Sequence, residues 1–369
     1  ASGKLQLQGL VPQLALTGKL RIDTAAITVS YLNTRYGLKN QDITLTENNI
    51  NLNFITITDL NSSAKNSGVA NGRIYHTYFK KFGIECKVTT PNMMMLNTTI
   101  EQNPVFYGKA FADGNVTFRG QFNDMIIRAN VRTMPGTYLH LPIRSTKETG
   151  RYSFFHFVDK NADSLVAVKK PKLKLNGMTF ILEADVTPDA AIDIVLDPVA
   201  GDILTSVGRG NIKLEIAKTG GVSMYGTYEV TRGDYLFTLQ SIVNKRFKLD
   251  PGSTINFTGD IYQAGLNMDA VYDVRTSTYD LISDFFERTA SGDVTQSEAE
   301  TRARTSVSAK LLLKLTGVLS APNIAFDIRV QDPDPIIRTM VDNRLQIIRT
   351  NETEMYKHCL LYTSPSPRD

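Results

Sequence analysis

The stretch that decides the fold runs from Gly220 to Ala270 and reads GGVSMYGTYEVTRGDYLFTLQSIVNKRFKLDPGSTINFTGDIYQAGLNMDA. Apolar and polar residues alternate in it, so that Tyr235, Phe237 and Leu239 fall on one face of an extended chain. Because successive side chains of a strand point to opposite faces, this pattern predicts half-buried β-strands. The alternation therefore places the segment in a sheet with one apolar face.

Glycines separate the strands of this segment. Glycine adopts positive φ without a steric penalty, so it is the usual residue of tight turns. We predict turns at four of the glycines: Gly226, Gly233, Gly252 and Gly259. Strands joined by such turns form an antiparallel meander.

The same alternation continues through most of the chain, for example at Leu173 with Leu175 and at Val116 with Phe118. Only 21% of the residues are charged, and Tyr, Phe and Thr are plentiful, which favours strands. We therefore predict an all-β protein, an elongated and curled antiparallel sheet. At about 14 residues for each strand and its turn, the chain would hold roughly 25 strands.

Two segments leave the period-two pattern. Near 278–290, the apolar residues Leu281, Ile282, Phe285 and Phe286 have the spacing of a short helix with one apolar face. Near 335–350, a second amphipathic helix follows Asp334, a candidate N-cap with proline at the next position. We predict both helices.

Charge and cysteine content exclude several classes of protein. The formal net charge of +4 is small for 369 residues, so we expect no nucleic-acid partner. The two cysteines, Cys86 and Cys359, form no disulfide framework and have no metal-ligand spacing. No stretch approaches the roughly 18 apolar residues of a membrane-spanning helix. We expect neither a metal nor a cofactor.

Catalytic motifs are missing from the sequence. There is no Gly-x-Ser-x-Gly elbow, no phosphate-binding glycine loop before a helix and no His-Glu-x-x-His pair. The histidines, His76, His140, His156 and His358, are isolated from one another. We predict that the protein is not an enzyme.

Three short motifs have plainer explanations than the functions they suggest. The integrin-type tripeptide Arg232-Gly233-Asp234 is expected to be a tight turn. The run Met93-Met94-Met95 could bind copper(I), but methionine more often fills an apolar surface. The sequence Asp332-Pro333-Asp334 resembles a nucleotide-sugar motif, and capping of the following helix explains it locally.

A composition shift divides the chain. We assign residues 1–158 to an N-terminal part of the sheet, 159–172 to a loop and 173–357 to a C-terminal part that ends in a helix. Residues 358–369 resemble translated sequencing-adapter read-through and are left out of the fold prediction. The first residues, Ala1-Ser2-Gly3, indicate a fragment of a longer protein.

Four blocks of this sequence resemble the conserved C-terminal domain of the TamB family, in the version found in Bacteroidota-like bacteria. The blocks begin DVTPDAAIDIVLD at Asp185, MYGTYEVTRGDYLFTL at Met224, FKLDPGSTINFTGD at Phe247 and LLLKLTGVLSAPNIAFDI at Leu311. The resemblance covers roughly residues 1–357 and is strongest between Gly226 and Asp273.

This resemblance implies a function and a location. TamB-like proteins are similar to AsmA proteins and to bridge-like lipid transfer proteins, and they cross the periplasm of Gram-negative bacteria as a folded β-sheet. An N-terminal helix, missing here, anchors them in the inner membrane. They dock on an outer-membrane Omp85-family barrel, TamA- or BamA-like. The implied role is non-enzymatic: conducting phospholipid and supporting the assembly and secretion of outer-membrane proteins.

The implied lipid-facing residues are the apolar positions of the C-terminal strands. We expect acyl chains to contact a groove lined by Ile192, Ile194, Leu196, Leu214, Ile216, Tyr235, Phe237, Leu239, Ile255, Phe257, Leu266, Met268, Ile324, Phe326 and Ile328.

Two other functions fit the same pattern. One is a scaffold whose strand edges template outer-membrane β-barrel clients. The other is a secreted β-rich adhesin with a packed core. The period-two pattern is the same for a lipid groove and for the core of a closed sandwich, so the residues leave these alternatives open.

Overall fold

The structure, a computed structural model, describes residues 1–10, 13–143, 177–197, 201–239, 243–288, 294–331, 334–351, 354–355 and 358–359. Strands dominate this part of the chain, as the alternation predicts. The strands are β1 Ser2–Leu10, β2 Gln13–Val29, β3 Thr34–Thr46, β4 Asn49–Asp59, β5 Ser67–Thr77, β6 Lys80–Thr98, β7 Tyr107–Gln121, β8 Asp124–Thr133, β9 Tyr138–Pro142, β10 Met178–Val186, β11 Ala191–Asp197, β12 Asp202–Ile216, β13 Val222–Leu239, β14 Val243–Leu249, β15 Thr254–Gly259, β16 Gly265–Ser277, β17 Ser306–Val318 and β18 Ala321–Gln331.

Strands β1 to β8 form an antiparallel meander in which each strand pairs with the next one along the chain. Tight connections make this order, such as the two residues between β7 and β8. A meander of sequential neighbours is what short connections favour. This part of the prediction is confirmed.

The middle of the sheet contains two parallel pairings, which the predicted antiparallel meander did not include. Strands β8 and β9 lie end to end along β7, and they pair in parallel with β10 and β11 respectively. Strand β12 then pairs antiparallel with both β10 and β11. These pairings lead back to β7, where β8 and β9 occupy successive lengths of the same edge. We call the rows β8–β9 and β10–β11 the seam.

Beyond the seam the sheet is antiparallel again. Strand β13 pairs with β14 along one part of its edge and with β15 along another. The order then continues through β16, β17 and β18. The described strands are fewer and longer than the expected 25, with 19 residues in β6 and 18 in β13, because strands run on through several glycines.

Both predicted helices are present. Helix α1 spans Tyr279–Arg288, and the helix predicted near 335–350 spans Pro335–Arg349. Asp334 caps the latter by accepting hydrogen bonds from the backbone N–H groups of Ile336 and Ile337. A further helix, Val294–Ala303, is not among the predicted helices. In chain order these helices are α1, α2 and α3.

Two hydrophobic clusters lie against the sheet. The smaller one is built on Leu38, Ile43 and Ile55 in β3 and β4. The larger one joins β9 to β18 with the three helices. We call β1–β7 the N-terminal section and β10–β18 with the helices the C-terminal section. The predicted boundary at 158 and the loop at 159–172 lie outside the described residues, so that division of the chain stays a prediction.

Candidate functional site

One face of the sheet carries an apolar row that connects the two sections. Residues that face each other in neighbouring strands point to the same side of a sheet, so the row can be followed from pair to pair. It starts in the smaller cluster and ends in the larger one. The row consists of Ile55, Ala70, Val88, Val116, Ala129, Leu182, Leu214 and Met224. We call this side the inner face.

In the C-terminal section the inner face is covered. Eleven of the predicted groove residues are at most 6% exposed. These are Ile194, Leu196, Leu214, Ile216, Tyr235, Phe237, Ile255, Phe257, Leu266, Met268 and Ile328. Ile192, Ile324 and Phe326 are partly buried against the same cluster, and the side chain of Leu239 lies outside the described part. The strand pattern thus brings them together, while acyl contact with them stays a prediction.

Aromatic rings fill the centre of this cluster. The ring of Phe237 packs edge-on against Phe326 at 5.4 Å and against Phe247 at 6.4 Å between centroids. Phe247 also packs against Tyr272 at 5.8 Å. These separations are within the range of favourable aromatic pairs. The inner faces of distant strands therefore contact each other here.

The helices supply the rest of the cover. Leu281 and Ile282 of α1 are buried in the cluster, and so are four residues on one face of α3. Those four are Ile337, Val341, Leu345 and Ile348. Their spacing is that of one side of an α-helix, so α3 lies with its apolar face on the sheet.

In the N-terminal section the inner face is less covered. Its cluster holds three buried residues, and the apolar side chains around them are only partly buried. These partners are Ile22, Ala25, Leu45, Ile50, Leu52 and Ile57. In β1, Leu5, Leu7 and Leu10 are exposed. Apolar surface therefore remains accessible in β1 and around the smaller cluster, whereas Met93, Met94 and Leu96 of β6 and Ala112 of β7 are buried.

Two of the four predicted turn glycines lie inside a strand. Gly252 follows Asp250 and Pro251 in a turn, and Gly259 ends β15. Gly226 and Gly233, however, are within β13. A Cβ on Gly226, which has a φ of +113°, would lie 2.1 Å from the carbonyl oxygen of Asn211 on the neighbouring strand. Glycine is needed there for close approach of two strands, so the turn prediction at these positions is wrong.

A family comparison agrees with this geometry. The model of the TamB C-terminal domain matches residues 55–349, which is most of the chain. The chain belongs to the TamB family. Searches of curated proteins and of solved structures find no match. The matched range begins in β4 and ends with α3, so it includes part of the N-terminal section and all of the C-terminal section.

Membership places the chain in a known system of the cell envelope. TamB proteins belong to the translocation and assembly module of Gram-negative bacteria, a non-enzymatic system for assembly or transport. Among the described residues of this family member, no helix has both the length and the apolar character needed to cross a bilayer.

One titratable cluster lies at the seam of this TamB chain. The hydroxyl of Tyr138 donates a hydrogen bond to Oδ2 of Asp193, and Nδ1 of His140 lies 3.4 Å from the same oxygen. The hydrogen bond to Asp193, with burial, raises the pKa of Tyr138 to about 12. A hydroxyl with a raised pKa is a poor nucleophile at neutral pH. The cluster ties β9 to β11.

Metal and redox chemistry find no support in the described residues. No group of three or more His, Cys, Asp or Glu side chains is placed to hold a metal ion there. Cys86 and Cys359 are both free and buried, and burial raises the pKa of both thiols, to about 12 for Cys359. A protonated thiol is neither a good ligand nor a nucleophile.

The other short motifs have structural positions. Arg232-Gly233-Asp234 is in the middle of β13 and not in a turn, and Asp234 lies 3.8 Å from Arg246. Met93 and Met94 are buried, as expected of methionine that fills apolar space. Asp334 caps α3, whereas Asp332 and Pro333 lie outside the described residues. His358 and Cys359, in the segment left out of the fold prediction, are buried.

Sequence reasoning missed a buried carboxylate in the N-terminal section. Asp59, fully buried, accepts hydrogen bonds from the backbone N–H groups of Asn61 and Met94 and from the side chains of Asn61 and Ser62. These bonds connect the end of β4 to β6. The sequence Asp-x-Asn-Ser could have indicated a local turn, but no pattern shows the distant Met94.

Proposed function

We propose that this TamB chain is a non-catalytic section of a periplasmic bridge that conducts phospholipid along its inner face. The full-length protein is anchored in the inner membrane and docks on an outer-membrane Omp85-family barrel, TamA- or BamA-like. By delivering lipid it also supports the assembly and secretion of outer-membrane proteins. The observation that carries this proposal is the apolar row from Ile55 to Met224.

The length of the row suits lipid movement. Its eight strands, at ~4.8 Å spacing, extend about 34 Å across the sheet. That is about the ~30 Å thickness of the hydrocarbon core of a bilayer, in which each lipid spans half. The row is therefore about two acyl chains long, and its last three strands, β10, β12 and β13, lie in the covered C-terminal section.

The energetics favour movement along this row. Removal of an acyl chain from water contributes about 0.8 kcal/mol for each CH₂, so a lipid on the inner face is strongly held against release into water. Sliding exchanges one apolar contact for another, so most of this free energy is kept during movement. The head group remains at the open side of the N-terminal section, where water reaches it.

Single tryptophans test the proposal, because the chain has none of its own. Ile57 is partly buried in the smaller cluster, and its neighbour Thr56 is exposed and points to the opposite face. We expect brominated acyl chains, in vesicles of phosphatidylethanolamine and phosphatidylglycerol, to quench the tryptophan fluorescence of Ile57→Trp and to leave that of Thr56→Trp unquenched.

The matched pair separates groove binding from adsorption to vesicles. Equal quenching at both positions would show a chain that adheres to membranes by its surface. An unquenched Ile57→Trp, in a chain with unchanged circular dichroism, would contradict the proposal directly.

A further inference from the structure

Helix α3 packs on β18, α1 and α2 and covers part of the larger cluster, into which the apolar row also runs. Its four inward residues belong to the same cluster as Leu214, the last but one member of the apolar row. From Ile337 to Ile348 they form an apolar strip about 16 Å long, at 1.5 Å per residue. Half of a ~30 Å hydrocarbon core is about 15 Å, so the strip has the length and the chemistry of one acyl chain.

Side-chain ion pairs hold α3 in this position, and each goes to a different element. Arg344 of α3 lies 3.0 Å from Asp284 of α1, and Arg302 of α2 lies 3.0 Å from Asp334 at the α3 N-terminus. At the other end of α3, Arg349 pairs with Asp327 of β18 at 2.8 Å. In the described part of the chain, α3 makes no backbone-to-backbone hydrogen bond to the sheet.

This attachment is incomplete. Arg344 is 24% exposed, and its Nε has no hydrogen-bond partner among the described residues. A largely buried guanidinium with an unsatisfied donor is unfavourable. In the ion pairs of Arg302 and Arg349 the arginine side chains are about half exposed, while Asp334 and Asp327 are 17% and 34% exposed, and ion pairs that water reaches stabilise little. The apolar strip therefore contributes most of what keeps α3 in place.

We propose that α3 is a displaceable plug, and that the surface beneath it is a second acyl-chain site. This inference rests on the proposed function. A phospholipid that arrives along the apolar row replaces the strip of α3 with an acyl chain, and the predicted groove residues of the C-terminal section then contact lipid. Displacement by an apolar ligand leaves the sheet covered, whereas displacement into water would expose it.

A tryptophan beneath the helices reports on this site. Phe326 is partly buried in the cluster and contacts Phe237, so Phe326→Trp places the probe among the predicted groove residues. With brominated phospholipid we expect this probe to be quenched several-fold less than Ile57→Trp in the otherwise unaltered chain. Arg344→Asp should increase its quenching, and the charge-swapped pair Arg344→Asp with Asp284→Arg should return it to the original level.

Control measurements separate the possible failures. Quenching of Phe326→Trp equal to that of Ile57→Trp in the unaltered chain would show that α3 does not close the site. Unchanged quenching in Arg344→Asp, while hydrogen exchange shows that α3 is released, would show that no acyl chain enters. If Arg344→Asp unfolds, Arg302→Ala, which removes the ion pairs of Arg302 with Asp334 and with Glu298, replaces it with the same expected direction. Loss of quenching at Ile57→Trp alone would overturn the proposed function and not the plug.

Discussion

The two sections of this molecule have the same strand pattern but different inner faces. In the N-terminal section three buried residues and a ring of half-buried neighbours make up the cluster. In the C-terminal section the equivalent positions are nearly all buried beneath opposite strands and three helices. Alternation in sequence therefore determines which side chains share a face, and other elements decide whether that face is open.

Under the proposed function, this difference would give the two sections different tasks. An apolar face that is partly accessible can bind an acyl chain without first moving protein. A packed face contributes stability and exchanges its contacts only when its cover moves. The row from Ile55 to Met224 crosses from one condition to the other at the seam, so a lipid that moved along it, as we propose, would meet the covered section there.

We expect the largest effect from a matched pair of leucine variants, one in each section. Leu313 in β17 is buried opposite Phe326, whereas Leu45 in β3 is only partly buried. We expect Leu313→Ala to lower the free energy of unfolding by about 3 kcal/mol and Leu45→Ala by about 1 kcal/mol. Urea unfolding combined with hydrogen exchange would assign each loss to its own section.

Equal losses in the free energy of unfolding for the two variants would contradict the difference between the sections. If Leu45→Ala were as destabilising as Leu313→Ala, the N-terminal section would contain a closed core, and the open groove would have to be abandoned.

Two glycines test whether packing limits the backbone differently in the two sections. An added Cβ would lie 2.1 Å from a carbonyl oxygen of the neighbouring strand at Gly226 in β13 and equally at Gly72 in β5. Each alanine must therefore shift a strand, at a cost of about 1–3 kcal/mol. We expect Gly226→Ala to be near the upper value and Gly72→Ala near the lower one, because the open section can relax.

Thermal unfolding of both variants measures this difference. A larger loss for Gly72→Ala would mean that the open section is the stiffer of the two.

Much of this fold could be predicted from local patterns. The period-two positions identified Ile255, Phe257, Leu266 and Met268 as residues of one apolar face, and the N-cap aspartate with its proline marked the start of α3. Such signals depend on side chains close in sequence, so one sequence is enough to show them. The family resemblance likewise rested on continuous blocks.

The features that the sequence could not show are set by residues far apart along the chain. Gly226 does not mark a turn. Glycine is needed there because the carbonyl oxygen of Asn211 in the neighbouring strand comes too close for a side chain. The parallel seam joins residues about 50 positions apart, such as Met125 and Met178. Cover of the inner face also depends on where α1, α2 and α3 pack, which the period of a strand does not encode.

The smallest expected effect is the pH dependence of the Asp334 contacts that hold the N-terminus of α3. The hydrogen bond from Arg302, followed by one from the backbone N–H of Ile337, holds the pKa of Asp334 below its ordinary value of 3.8. A carboxylate with a lowered pKa stabilises the folded state above its unfolded pKa, and this contribution is lost as pH falls through the folded value. Hydrogen-exchange protection in the first turn of α3 should therefore stay constant down to about pH 4 and decline below it.

The control is Asp334→Asn, which keeps an N-cap without the charge. Protection of the first turn of α3 in this variant should not decline at low pH. In the unaltered chain, loss of protection already above about pH 5 would show that another group holds the helix.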